Sequence, residues 1–146
     1  SKENLMQYSL IRSVMDGLAA YLAALLAKEE DILYMQDELR RSRELIMAQG
    51  DSKEISRHNY NFHVRIREAT RNNFLINLTS TVASMDNSIR QVVNKTDFEE
   101  LMMRQEEHEQ ILQMIQEGRS DEAEQLMVNH IRKATKKALY EDKKEK

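Results

Sequence analysis

The sequence predicts an all-α protein, an antiparallel bundle of about six helices forming one domain over residues 1–146. Three observations predict it. The 146 residues include no Pro and only three Gly, so the usual punctuation of turns and sheet corners is missing. Apolar residues return every three or four positions from end to end, the spacing of a single helix face. The breaks between these periodic runs are short, and short connections make consecutive helices antiparallel neighbours.

The first helix is marked by Leu10/Ile11, Val14/Met15, Leu18, Tyr21/Leu22 and Leu25/Leu26, about five turns that read as strongly buried. Lys28-Glu29-Glu30-Asp31 then opens a second helix, its acids suited to the positive end of the helix dipole. Ile32, Met35, Leu39 and Ile46 form its stripe, and Gly50 is expected as its C-cap. Asp51-Ser52-Lys53-Glu54 resembles a capping box and starts a third helix carrying Ile55, Phe62, Ile66 and Ala69, which breaks at Arg71-Asn72-Asn73. The fourth runs through Phe74/Leu75, Leu78, Val82, Met85, Ile89 and Val92/Val93 to Asn94-Lys95. Thr96 with Glu99 forms a second capping box, ahead of a fifth helix through Phe98, Leu101, Ile111/Leu112 and Ile115 to Gly118. Ser120 is expected to cap the sixth, where Ala123, Leu126/Met127, Ile131 and Ala134 face inward. The polar, basic tail from Lys136 to Lys146 is expected to fray, and the nine Met read as core filler.

Composition narrows the function. Without Cys there is no disulfide framework and no thiolate metal site, which fits a reducing, cytoplasmic setting. The longest apolar run, Gly17–Ala27, falls short of the roughly 18–20 residues of a membrane span, and no signal peptide is visible, so no membrane association is expected. With 22 basic and 25 acidic residues mixed along the chain, for a net charge of −3, the electrostatic footprint of a nucleic-acid binder is missing. Any action on DNA belongs to another segment. The start at Ser1 without an initiator Met is compatible with a fragment of a longer protein.

The informative positions are polar residues lying inside apolar stripes. His108 sits between Leu101/Gln105 and Leu112/Ile115, and His130 between Leu126/Met127 and Ala134. Asn59 falls between Ile55 and Phe62/Ile66, with His63 one turn on. His108 precedes Gly118 by ten residues and His130 follows it by twelve, which puts both roughly 15–18 Å from that turn. His63 lies roughly 13 Å from the break at the same end of an alternating bundle. One layer can therefore hold three imidazoles, with Asn59 stacked at i, i+4 from His63.

An amide oxygen with three imidazole nitrogens suits a divalent Zn, Ni or Mn ion. A lone histidine on an apolar face is more often a hydrogen-bonded core residue, but three of the four histidines at one height make that explanation harder. His58, on the other flank beside Arg65, reads as a surface residue. Carboxylate-bridged di-iron chemistry needs Glu three residues before His on a helix, and those positions are Ile55, Tyr60, Gln105 and Met127. No Gly-rich phosphate loop, nucleophile elbow or Ser/His/Asp set is present, and no general base is singled out, so an enzyme is not expected.

At these residues the chain resembles a known family. Asn59-Tyr60-Asn61-Phe62-His63, followed by Glu68-Ala69-Thr70-Arg71-Asn72, is similar to the Asp-x-x-Phe-His and Glu-Ala-Thr-Gly-Asn segments of the FCD domain, the effector-binding domain of FadR-subfamily GntR transcription regulators. Glu107-His108 with Ile111, Ile115 and Gly118, and Ala123 with Met127 and His130-Ile131, extend the likeness. Arg12 with Asp16 resembles the family's Arg-x-x-x-Glu pattern. Together they cover nearly the whole chain.

The resemblance implies a helical bundle binding a divalent metal through Asn59, His63, His108 and His130, with a small carboxylate effector nearby. It further implies a homodimer and DNA binding only through a winged-helix domain that precedes this one in the family and is absent from this chain. Asn59 stands where the family commonly has Asp, which leaves a metal with four neutral ligands. Arg12 is the candidate to grip the effector carboxylate by its guanidinium fork, against a plain ion pair to Asp16 at i+4. Arg90 is a second, weaker candidate, set against a solvated surface role. Apolar residues beyond a single stripe (Leu5, Met6, Ile76) point to the first and fourth helices as the dimer surface. Two alternatives remain: a metal-free domain of the acyl-CoA-responsive type, and a metal-dependent helical enzyme or stand-alone sensor.

Overall fold

The computed structural model describes residues 2–81 and 97–144, all of their regular structure helical. Helix α1 spans Lys2–Leu26, α2 Glu29–Met47 and α3 Ser52–Ala69; α4 is described over 73–81; α5 spans Phe98–Gln116 and α6 Ser120–Lys144. The expected apolar positions from Val82 to Val93, the Asn94-Lys95 stop, Thr96 and Arg90 lie outside the described residues, as does the Leu5 side chain.

Helix α1 packs on α6, α3 and α5, while α2 packs on α3 and α5, and α5 on α6. The α1–α6 pairing is the most extensive. Its register is antiparallel: Ser9 Oγ hydrogen-bonds Thr135 Oγ1, Arg132 Nε donates to Ser13 Oγ at 3.3 Å, and Gly17 abuts Val128. A Cβ on Gly17 would stand 2.5 Å from Val128 Cγ2, so the two backbones approach as closely as they do only because position 17 carries no side chain.

That seam inverts the expectation for α1. Its buried residues are Ser9, Ser13, Asp16, Ala19, Ala20 and Ala23, whereas Leu10, Ile11, Val14, Leu18 and Leu25 are exposed, Ile11 and Val14 each by 60%. Small and polar residues allow close packing inside the chain, and most of the large apolar ones face outward, while Met15 and Leu22 pack partly buried against the core. The stretch Met6–Leu26 is also long and apolar enough to pass for a membrane span, contrary to the sequence reading. Its Arg12 and Asp16 are nonetheless engaged in ion pairs with each other and with α3, and its small-residue face is packed against α6.

The stripes of α2, α3, α5 and α6 supply the core as expected, with Met35, Leu39, Phe62, Ile66, Ile111, Ile115, Met127 and Ile131 together, except that Phe98, at the start of the α5 stripe, is exposed. Among the described residues of α4, Leu75 alone joins the core; Phe74 is 86% exposed and Leu78 is also outward. Met35 and Met127 fill the core, but Met6 and Met47 are exposed.

Several ends differ from the sequence reading by one residue. Gly50 is not the left-handed cap of α2: Gln49 has φ of 51° and Gly50 N–H returns to Leu45 O at 2.8 Å, the longer bond of a Schellman motif. Gly118, with φ of 70°, does take the left-handed position after α5. Asp97 rather than Thr96 caps α5, accepting Glu100 N–H at 2.8 Å. Asp51 caps α3 by accepting Lys53 N–H at 2.9 Å. Ser120 is the first residue of α6, and Ala123 N–H bonds Arg119 O, which makes Arg119 the N-cap. Helix α6 does not stop at the polar tail but continues to Lys144, in a stretch of good helix formers without Gly or Pro.

Candidate metal centre

The core positions of α3, α5 and α6 bring His63, His108 and His130 together. All three are buried, and their ligating nitrogens lie within 4.8 Å of one another. His63 Nε2 is 3.1 Å from His108 Nε2, which is 2.9 Å from His130 Nε2. Phe62, fully buried, lies against both His63 and His108 with ring centroids 5.6 and 5.1 Å away, which gives the cluster an apolar wall.

Proton counting shows what such a cluster lacks. A neutral imidazole nitrogen carries either one hydrogen or one lone pair, so His108 Nε2 can complete a linear hydrogen bond to one of its two neighbours and not to both. Protonating His63 is opposed: it is pushed well below the ordinary imidazole range, first by burial and then by the positive fields of His108, Arg12, His130 and Arg67. A cation that accepts all three lone pairs removes this frustration.

The spacing fits as well. At a metal–nitrogen distance of about 2.0–2.1 Å, two nitrogens stand about 2.9 Å apart at a right angle and about 3.3 Å apart at the tetrahedral angle. The observed 2.9 and 3.1 Å lie toward the right-angle end, where three ligands leave further positions open. The donor set thus fits a divalent metal.

Around the imidazoles, Glu107 Oε1 is 3.4 Å from His130 Nδ1, and its Oε2 is 3.7 Å from Lys133 Nζ. Partial burial opposes ionisation of Glu107, but the His130 bond and the Lys133 charge outweigh it and hold its carboxyl below the usual range. His63 Nδ1 has no hydrogen-bond partner among the described residues. Asn59 is half-buried, and its Oδ1 accepts the Ser42 hydroxyl of α2 at 3.1 Å; a carbonyl oxygen keeps a second lone pair.

Asp16 is the centre of an ion cluster joining α1 to α3. Arg67 grips it bidentately at 2.8 and 3.0 Å, and Arg12 Nε donates to Oδ2 at 3.1 Å. Asp16 and Arg67 are 2% and 5% exposed. The ion pair set against the effector role of Arg12 is therefore present. Two guanidiniums share this carboxylate, and the positive fields of both reach His63.

His58 is not a surface residue. It is 5% exposed and its Nδ1 lies 2.5 Å from Glu38 Oε2, with Asn61 Nδ2 3.4 Å from the other oxygen. This pair joins α2 to α3. Glu107 and Arg67 escaped the sequence reading, although Glu107 had a signal: it precedes Gly118 by eleven residues, nearly the distance by which His130 follows it.

Comparison with known proteins agrees with this architecture. The FCD domain profile matches residues 8–133. The "Uxu operon regulator" of Haemophilus influenzae is 27% identical over 126 residues, covering 82% of this chain and 46% of that protein, so the chain spans about half of that relative. The fold is similar to that of E. coli McbR/YncC, with a TM-score of 0.84 at 15% identity over 97% of this chain and 70% of that one. The profile match, over most of the chain, shows that it belongs to the FCD domain family, the type of domain carried by GntR-type regulators.

Proposed function

We propose that this domain is the sensing half of a transcription regulator, binding a divalent metal and, beside it, a small carboxylate effector. The gathering of three buried histidines, one nitrogen from each within 4.8 Å of the others, carries the reading. His63, His108 and His130 hold the ion, with Asn59 as a fourth, neutral ligand through the oxygen that also accepts from Ser42. A bound ion supplies positive charge and open coordination positions. Four neutral ligands leave that charge at about +2, and the positive fields of Arg12 and Arg67 that reach His63 add to it, so an anion is the favoured guest.

Arg12 is the group proposed to meet the effector; Arg90 keeps the weaker place it has in the sequence reading. The role is one of binding rather than catalysis, in keeping with the relative named as an operon regulator. DNA is contacted by a separate winged-helix domain, and the working unit is a cytoplasmic homodimer. The exposed Leu10, Ile11, Val14 and Leu18 of α1, with Phe74 and Leu78 of α4, are its proposed contact surface.

Calorimetric titration of chelator-stripped protein with Zn²⁺, Ni²⁺ and Mn²⁺ in turn tests the centre. One ion per chain is expected, with binding lost in His108→Ala; no binding of any of the three overturns the reading. Small carboxylates are then expected to raise the melting temperature of the metal-loaded protein, and less so in Arg12→Leu.

A further inference from the structure

We infer that Glu107 is a positioning residue which sets the tautomer of His130, keeping the proton on Nδ1 so that Nε2 presents its lone pair to the cluster. The inference rests on the metal reading for its purpose but not for its geometry. Glu107 Oε1 is the hydrogen-bond partner of His130 Nδ1, at 3.4 Å. An ionised carboxylate can only accept, so the hydrogen of that contact belongs to the ring. A neutral imidazole protonated at Nδ1 has an unprotonated Nε2, and His130 Nε2 is the atom 2.9 Å from His108 Nε2.

The carboxylate is itself held in place. Lys133, one turn beyond His130 on the same helix, stands 3.7 Å from Glu107 Oε2, so α6 supplies both the ring and the cation that steadies its acceptor. The other end of the cluster is different: His63 Nδ1 has no partner among the described residues, so none of them fixes its proton. The site is therefore polarised. His130 is the pre-set ligand, and the protons of His108 and His63 arrange themselves around it.

A carboxylate on the outer nitrogen of a ligating imidazole also raises the basicity of the inner one, and removing such a partner typically lowers metal affinity by about 10–100-fold. Glu107→Ala is expected to lose affinity in that range. Glu107→Gln keeps an acceptor oxygen without the charge and is expected to recover most of the loss.

The test uses wild type, Glu107→Ala and Glu107→Gln, each checked for unchanged helicity. In the metal-free proteins at pH 7.5, long-range ¹H–¹⁵N correlation spectra report which nitrogen of each histidine is protonated. His130 is expected as the Nδ1–H form in wild type and Glu107→Gln, with an Nε2–H population emerging in Glu107→Ala. Zn²⁺ competition against a chromophoric chelator then gives the affinities.

A wild-type His130 protonated at Nε2 or on both nitrogens overturns the inference, as does a Glu107→Ala protein with an unchanged His130 tautomer. If wild type shows the Nδ1–H tautomer yet binds no Zn²⁺, Ni²⁺ or Mn²⁺, the metal reading fails while the positioning of His130 by Glu107 stands. The spectra and the titrations thus separate the two.

Discussion

Removing the carboxylate of Asp16 should be among the most damaging single changes in the protein. Asp16 is 2% exposed and Arg67 5%, so in Asp16→Ala water cannot readily replace the two bonds at 2.8 and 3.0 Å, and a buried guanidinium loses the carboxylate that grips it. Breaking a buried ion pair from one side costs about 3–5 kcal/mol. Against the roughly 5–15 kcal/mol that stabilises a typical domain, that is a large share. In a domain of this length about 1 kcal/mol moves the melting temperature by roughly 2–4 °C, so a fall of roughly 6–20 °C is expected.

The same physics predicts that removing both charges is much less harmful, because a buried pair replaced by apolar groups of similar volume is often neutral or stabilising. Asp16→Leu/Arg67→Met should regain most of what Asp16→Ala loses. Arg12 is 18% exposed and shares a carboxylate that Arg67 still holds, so Arg12→Met should cost about 1 kcal/mol or less. Urea unfolding of the metal-free wild type, these variants and the singles Asp16→Leu and Arg67→Met, followed by circular dichroism, measures all of these. A loss under about 1 kcal/mol in Asp16→Ala, or a double variant as unstable as the sum of its singles, would refute the reasoning, since either result means that the cluster is not coupled in the folded state.

Three further outcomes are expected. His63 has a folded-state pKa well below its ordinary value through burial and neighbouring positive charge, so the unfolded chain takes up the proton first. The stabilisation is therefore complete above about pH 6.5 and is lost as pH falls toward the folded pKa, at up to about 1.4 kcal/mol per pH unit from this group. Urea unfolding of metal-free wild type and His63→Gln between pH 7.5 and 5 should show the steeper loss in wild type, and parallel curves would contradict it. Gly17→Ala puts a methyl 2.5 Å from Val128 Cγ2 and should cost about 1–3 kcal/mol, with recovery in Gly17→Ala/Val128→Ala by scanning calorimetry. Val14→Glu changes a residue 60% exposed on α1, so it should leave helicity intact while converting a dimer to a monomer in light scattering; a variant that stays dimeric removes α1 from the proposed surface.

How legible the molecule was depended on what each signal encoded. The stripes of α2, α3, α5 and α6 could be read because one apolar face met one core, and the three histidines because each interrupted such a stripe at a countable distance from a turn. Helix α1 could not, since large apolar side chains run along most of it and periodicity does not say which face meets the chain's own core. The decisive residue there is Gly17, whose missing side chain allows α6 to approach, with Ala19, Ala20 and Ala23 buried on the same helix. Pairings distant in sequence left no local mark either: Glu38 with His58 and Asp16 with Arg67 join different helices, and a charge's partner cannot be read from its own segment. Caps shifted by one residue because Thr96 and Asp97 are both good N-caps, and only the chain's path chooses between them.

The two roles weighed for Arg12, effector grip and ion pair, turn out to be compatible. Asp16 already has a bidentate partner in the more deeply buried Arg67, whereas Arg12 reaches it through one bond of 3.1 Å and is the more exposed of the two guanidiniums. An incoming carboxylate that draws Arg12 away leaves Asp16 neutralised, and it meets a charge whose field already reaches His63. Because a ligand shifts an equilibrium only by its difference in affinity for two states, the cost of that exchange decides how strongly an effector can act through α1. On the Asp16 side the exchange is inexpensive: the Arg67 half of the cluster stays closed while the Arg12 bond opens, on a helix that also carries the exposed apolar residues Ile11, Val14 and Leu18.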